Sequence, residues 1–291
     1  MELQTFWSRL AAIGLCAGLA LNAAGRVPPR LVLRSAAAVI QDQKTGEILL
    51  DKRGQDIVPM ASLTKLVTAM VVLDAGVDLH EKITILEEDK DVLRHSRSRL
   101  PVGTELSREE ALLLALMSSE NRAAHALGRS FPKGLAAFIT AMNAKTKELG
   151  LHGSRFEDPT GLSSGNVASA RDIARIVDAS YRYARIRSCT TTLSAVILGR
   201  RGPIEFHNTN HLVQSPRWQI GLSKTGFIEE SGQCLVMQAK VAQRPLLIVL
   251  MDASGNRSRF VDADRVRQWL EGPDPAPVRQ ARHRRARKVR R

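Results

Sequence analysis

The chain has 291 residues, 44% hydrophobic and 25% charged, an ordinary globular composition with room for one large domain or two small ones. Three cysteines are too few for a small disulfide-stapled scaffold. The net charge of +14 overstates how basic the body is, because eight basic residues and no acid lie in "RQARHRRARKVRR" (279–291), leaving +6 elsewhere. Such a block reads as a solvated, disordered tail over 272–291, open to peripheral contact with anionic membrane or wall polymer. Nucleic acid is not the expected partner.

At the N-terminus, Arg9 precedes "LAAIGLCAGLAL" and the small residues of "NAAG". This order is that of an export signal over residues 1–24, cut near Ala23 or Ala24. The apolar core is shorter than the ~20 residues of a membrane span. Glu2 opposes Arg9, so an uncleaved anchor remains the alternative. Leu15 before Cys16 is too large for a usual lipoprotein cleavage site. The mature protein is therefore expected in the periplasm or elsewhere in the exported envelope. Cys189 and Cys234 then remain, and we expect two unpaired thiols. The seven histidines are scattered, with no His-Glu-x-x-His or Cys-x-x-Cys spacing, so no metal site is expected.

Next, "AAAVIQDQKTGEILLDK" (37–53) reads as a β-hairpin turning at Lys44-Thr45-Gly46. The run from Ser62 to Ala75 is apolar nearly all round and predicts a buried central helix. Residues 78–104 are polar and charged, with no clear period. "SREEALLLALMSS" opens on Ser107 and Glu110, the spacing of a capping box. "ENRAAHALGRSF", "GLAAFITAMNAKTKELG" and "SARDIARIVDASYRYA" predict further helices, the second ended by Gly150. A loop, "FEDPTGLSSGNVA", precedes the last of them. From residue 190 the texture becomes strand-like: "TTTLSAVIL", "PIEFHNT", "WQIGLSKTGFI", "QCLVMQAKVA" and "PLLIVLMDA", joined by short turns that suit antiparallel neighbours. "RFVDADRVRQWLE" closes as a helix before "GPDPAP". Strands at both ends around a helical block imply an α+β domain over residues 30–271 whose sheet draws on both termini.

Three short strings carry chemistry. Ser62-Leu63-Thr64-Lys65 sets a hydroxyl and an ammonium three residues apart, on one face of a helix. Alone it reads equally well as a cap beside a solvated lysine. Ser119-Glu120-Asn121 falls in the break between two helices, where a cap would also suffice. Lys224-Thr225-Gly226 lies inside a predicted strand, and an interior strand glycine often marks close approach of another backbone or a ligand. Lys44-Thr45-Gly46 repeats the tripeptide, but it precedes Ser62 and sits in a turn, so it reads as structural. Gly161-Leu162-Ser163-Ser164-Gly165 fits the G-x-S-x-G nucleophile elbow. The required buried strand is missing before it, however, and it reads instead as a loop beside the site.

S-x-x-K, S-D-N and K-T-G, in that order and on those element types, form the signature of penicillin-binding proteins and class A β-lactamases, and here Ser119-Glu120-Asn121 stands at the place of the second. The chain resembles the low-molecular-mass penicillin-binding proteins of the D-alanyl-D-alanine carboxypeptidase/endopeptidase family, over about residues 35 to 271. "FEDPTGLSSGN", "HNTNHL", "SKTGFIEESGQCLV" and "RFVDADRVRQWL" extend the likeness. "LMSSENRAA", with Glu120, and the lack of a separate β-rich C-terminal domain resemble the endopeptidase subgroup.

The resemblance implies a DD-peptidase/β-lactamase-like fold and a cofactor-free acyl transfer on peptidoglycan peptides, inhibited by β-lactams. Ser62 is then the nucleophile and Lys65 its base, its ammonium destabilised by burial, by Lys224 and by the helix dipole. Ser119 relays a proton, and Asn121 holds the substrate amide. Lys224 supplies positive potential, Thr225 binds near the terminal carboxylate of a carboxypeptidase substrate or a β-lactam, and Gly226 lies beside them at the substrate. The N–H groups of Ser62 and Phe227 form the oxyanion hole. Arg259 assists at the substrate or is a plain surface arginine. Glu157 lies where a β-lactamase carries its deacylating Glu, but in "EDPTG" rather than E-x-x-L-N, so penicillin should leave slowly. D-Ala trimming, or more remotely β-lactamase activity, is the alternative to crosslink cleavage.

Overall fold

A computed structural model of the chain describes residues 31–199 and 202–272. The expected signal segment and the tail beyond Gly272 lie outside them. β1 (Ser35–Asp42) and β2 (Ile48–Lys52) form the first hairpin. Its turn is held by Asp42, whose Oδ1 accepts from the Lys44 and Thr45 N–H groups, and by Gly46 at φ 77°. The first Lys-Thr-Gly is thus a turn, as expected.

β3 (Ile57–Pro59) leads to a 3₁₀ turn, Ala61–Thr64, and α1 (Lys65–Asp74), in which Lys65 through Val72 are all buried. The unassigned polar stretch supplies β4 (Lys82–Thr84), a 3₁₀ turn and an irregular segment over 91–100. β5 (Glu105–Ser107) precedes α2 (Arg108–Met117), which starts on the expected Ser107/Glu110 capping box. α3 (Asn121–Arg129) and α4 (Gly134–Glu148) follow, then β6 (Val167–Ser169) and α5 (Ala170–Tyr181).

A further helix, α6 (Ala184–Thr191), takes the start of the segment expected to be strand. Threonines favour strands in general. Here Thr190 and Thr191 donate to the Arg187 carbonyl and Thr192 donates to that of Ser188, while Ile186 and Cys189 are buried in the core. Burial of those two residues overrides local propensity. Among the described residues, β7 (Ser194–Gly199) and β8 (Gly202–His207) pair with each other alone, as a ribbon outside the main sheet.

β9 (Gln219–Ile228), β10 (Gly232–Val241), β11 (Arg244–Ala253) and α7 (Ser258–Glu271) complete the described chain. The main sheet runs β2-β1-β11-β10-β9, antiparallel throughout, so the first strand pairs with the last. This is the α+β architecture expected from strands at both ends. Strand side chains alternate between faces. Val39, Val236 and Val249 join a core with α1, α2 and α5, whereas Ile40, Leu235 and Ile248 join a second core under Phe260 and Val266 of α7. β10 and β11 are apolar on both faces for that reason. β9 lies at one edge of the sheet, opposite β2, beside the Ala61–Thr64 turn.

Candidate active site

In a 3₁₀ turn, residues i and i+3 eclipse one another. The turn ending at Thr64 sets Ser62 over Lys65, the first residue of α1, with Lys65 Nζ 2.8 Å from Ser62 Oγ. Lys65 is 1% exposed, and Nζ also donates to Asn121 Oδ1 (2.8 Å) and the Thr160 carbonyl (2.6 Å). A neutral amine has two N–H groups and one lone pair. As an ammonium, Lys65 donates to all three oxygens; once neutral, its two N–H groups serve the carbonyls and its lone pair is left to face the Ser62 hydroxyl. Burial pushes the Lys65 ammonium down to about 7, opposed by the negative charges of Asp158, Glu120 and Asp91. The expected help from Lys224 runs mainly the other way. Lys224 is held well below the usual lysine range by burial first, then by the charges of Lys65 and Arg259.

The break between α2 and α3 presents the second string. The Ser118 and Glu120 N–H groups both bond the Leu114 carbonyl, and between them Ser119 is left-handed, at φ 61°. A non-glycine residue in that region is costly and is found where surrounding structure demands it. Ser119 Oγ accepts from Lys224 Nζ at 2.8 Å. Glu120, buried, caps α3 by accepting from the Arg122 N–H and takes a 2.7 Å bond from Ser98 Oγ. Burial raises its pKa, while the Ser98 and Arg122 contacts oppose the shift.

On β9, Lys224 also donates to the Thr225 carbonyl (2.9 Å), and Thr225 Oγ1 bonds Thr209 Oγ1 at 2.6 Å. A Cβ on Gly226 would lie 3.1 Å from Ala61 Cβ and 3.2 Å from the Ser62 nitrogen, so glycine lets the strand pass close to the serine turn. Phe227 follows, 56% exposed. Arg259 is half-buried, with Nη1 donating to the Gly226 (2.9 Å) and Cys234 (3.4 Å) carbonyls and its guanidinium over the Phe260 ring. It braces β9 from the α7 side, and is neither a free surface group nor a direct partner of Ser62.

The loop at 158–165 closes one side. Asp158 Oδ1 accepts from Thr160 N, Thr160 Oγ1 and Gly161 N, and Oδ2 accepts from Ser163 N. These bonds aim the Thr160 carbonyl at Lys65. Gly161 has φ 83°, and a Cβ there would lie 1.9 Å from the Ala61 carbonyl oxygen. Ser163 Oγ instead donates to Glu157, which also pairs with Arg155, so the G-x-S-x-G string is a loop beside the site. No strand leads into it.

Sequence reasoning missed Thr160, Asp158, Thr209, Arg94 and the serines of 96–98. "EDPTG" carries turn chemistry that pointed to the loop. "HSRSRL" alternates serine and arginine, a period-2 signal that marked an inward and an outward face. Cys189 and Cys234 are unpaired and buried, each thiol pushed up to about 11 by burial. Among the described residues, no group of three His, Cys, Asp or Glu side chains could hold a metal ion, and no helix is long and apolar enough to cross a membrane.

Comparison with known proteins matches residues 24–255 to the family described as D-alanyl-D-alanine carboxypeptidase. A D-alanyl-D-alanine endopeptidase of Pseudomonas aeruginosa is 44% identical over 247 residues, 84% of this chain and 80% of that protein. One from Escherichia coli is 42% identical over 262 residues, 89% of this chain and 84% of that protein. A mutant DD-transpeptidase of Streptomyces superposes with a TM-score of 0.76 at 25% identity, covering 82% of this chain and 98% of that one. A penicillin-binding protein of Listeria monocytogenes in its ampicillin-bound form has a TM-score of 0.71 at 24% identity, covering 83% and 98%.

Proposed function

The chain belongs to the D-alanyl-D-alanine carboxypeptidase family of serine peptidases, and from that premise we propose that it hydrolyses peptide crosslinks of peptidoglycan as a D-alanyl-D-alanine endopeptidase. The observation that carries the chemistry is the Lys65 amine, enclosed by one hydroxyl and two carbonyl oxygens in a dry setting. In this reading Lys65 removes the Ser62 proton as Oγ attacks the D-Ala carbonyl carbon. The oxyanion is met by the Ser62 and Phe227 N–H groups. Ser119 passes a proton to the leaving amine, its hydroxyl polarised by Lys224. Asn121 retains one amide N–H for the substrate backbone. Water then releases the acyl group, with no cofactor.

Crosslink cleavage is favoured over trimming of terminal D-alanine because the two endopeptidase relatives are the most alike of those described above. Glu157 is taken up by Ser163 and Arg155, which supports slow release of penicillin. We place the protein in the exported cell envelope, with the basic tail resting on anionic membrane or wall polymer.

The test is digestion of crosslinked muropeptides by the purified protein, followed by mass spectrometry. Bridge cleavage is expected, and loss of terminal D-alanine alone would shift the assignment to a carboxypeptidase. Fluorescent penicillin should label the wild type and not Ser62→Ala; equal labelling of both would refute the nucleophile. Rapid nitrocefin turnover would point to a β-lactamase. A chain ending at Glu271 should retain cleavage, and its loss would move function toward the tail.

A further inference from the structure

The segment over 91–100 is strap-like and lies outside the three sequence motifs. Its start is a built turn, in which the Asp91 carboxylate accepts from the Leu93, Arg94 and Ser96 N–H groups. Beyond it the side chains alternate: Ser96 and Ser98 are partly covered, Arg97 and Arg99 are exposed, and Leu100 is buried. The two serines grip consecutive residues at the start of α3, Ser98 donating to Glu120 and Ser96 Oγ accepting from Asn121 Nδ2 at 3.0 Å. Four other bonds fix the strap. Arg94 donates to the Leu162 carbonyl (2.6 Å) and to Glu230 (2.9 Å), Arg99 donates to the Glu205 carbonyl, and Arg122 donates to that of Leu100.

We infer that Ser96 is a positioning residue for acylation, its hydroxyl holding the Asn121 amide so that the carbonyl oxygen, and not the NH₂ group, meets Lys65. This rests on the reading of Ser62 and Lys65 as nucleophile and base. The terminal torsion of an asparagine is broad and roughly twofold, so its hydrogen-bond partners decide which way the amide faces. With Ser96 in place and its O–H turned to the Asp91 carboxylate, its lone pair is left to accept from Nδ2, and Oδ1 accepts from Lys65. Without it, the inverted amide places N–H donors against the lysine lone pair. That lone pair is the one the Ser62 proton must reach, so the inverted amide competes with the nucleophile for the base. Because the strap is held elsewhere, removing the Ser96 hydroxyl leaves the segment in place and releases the amide, along with the contact of that hydroxyl to Asp91.

The experiment measures the penicillin acylation rate constant at saturation. For Ser96→Ala we expect a fall of about 10-fold, the scale of one unmade hydrogen bond, with an unchanged half-saturating concentration. Ser96→Thr, which keeps the hydroxyl, should restore the rate. In an Asn121→Ala background, Ser96→Ala should cause no further loss, because the two residues act as one unit. Acylation of Ser96→Ala at the wild-type rate, or an equal loss in the Asn121→Ala background, would overturn the inference. A wild type that takes up no penicillin would instead sink the functional reading. The Asn121 side-chain amide resonance then still decides the Ser96 contact: it should move in Ser96→Ala and stay in Ser96→Thr, and an unmoved resonance in Ser96→Ala overturns it.

Discussion

At the scale of the residue, Lys65 is where sequence and structure meet most directly. Its place in an apolar run already implied a depressed pKa, and burial supplies that depression. What the string did not contain is the pair of carbonyl oxygens, from Asn121 and Thr160, that orient the amine. In the proposed role as base Lys65 acts unprotonated, so acylation should climb as pH rises through about 7 and plateau above it. Lys65→Arg should lose about 10²–10⁴-fold at every pH, the usual worth of a general base, since a guanidinium does not deprotonate. A penicillin-labelling rate profile checks both, and an arginine variant with near-normal rates would contradict the role. Ser119 makes a second case. Its left-handed backbone at φ 61° is strained for any residue but glycine. Both Ser119→Ala and Ser119→Gly should slow turnover, but the glycine variant should be more stable than the alanine variant by about 1 kcal/mol in urea. Equal stabilities would mean the strain is absent.

At the scale of the element, the helices were legible wherever caps and period agreed, as for the Ser107 box of α2. Two elements were not. α6 hid behind a run of threonines whose hydroxyls turn back onto their own helix. The strap hid because irregular backbone has no period, although its serine–arginine alternation was present. The loop 158–165 is another element whose work depends on distant chain, and Asp158 organises it. Asp158→Asn keeps one acceptor oxygen but replaces the other with a donor facing the Ser163 N–H, at a cost of about 1–3 kcal/mol. It also removes the foremost negative charge holding Lys65 up. Lys65 should then deprotonate more readily, so the acid limb of the acylation profile should move below about 7. An acid limb that stays in place or rises would show that Asp158 acts on the loop alone.

At the scale of the whole molecule, the sheet closes the chain on itself. β1 pairs with β11, and Asp262 of α7, buried, accepts from both the Ser35 N–H (2.7 Å) and Ser35 Oγ (2.8 Å). The first strand is thereby fastened to the last helix, across a sheet whose other face holds the site. Asp262→Ala would leave a buried N–H without a partner and should cost about 2–3 kcal/mol. That is a drop of roughly 4–12 °C in Tm for a domain of this size. An unchanged melting curve would mean that the strand pairing alone fastens the two ends.

The order of the three motifs, the capping chemistry and the switch from helical to alternating patterning were determined by the sequence itself, because each rests on residues near one another along the chain. That is why the family and the α+β class could be named from the string, and why Ser62, Lys65, Ser119, Asn121 and Lys224 could be put forward as one site. The tertiary structure alone decided what surrounds them: Thr160 on Lys65, Ser96 on Asn121, Thr209 on Thr225, and Arg259 braced against β9. These contacts join residues from 16 to 95 positions apart, or lean on backbone carbonyls that every residue carries. A carbonyl has no sequence signature, so only folding reveals which one faces the lysine.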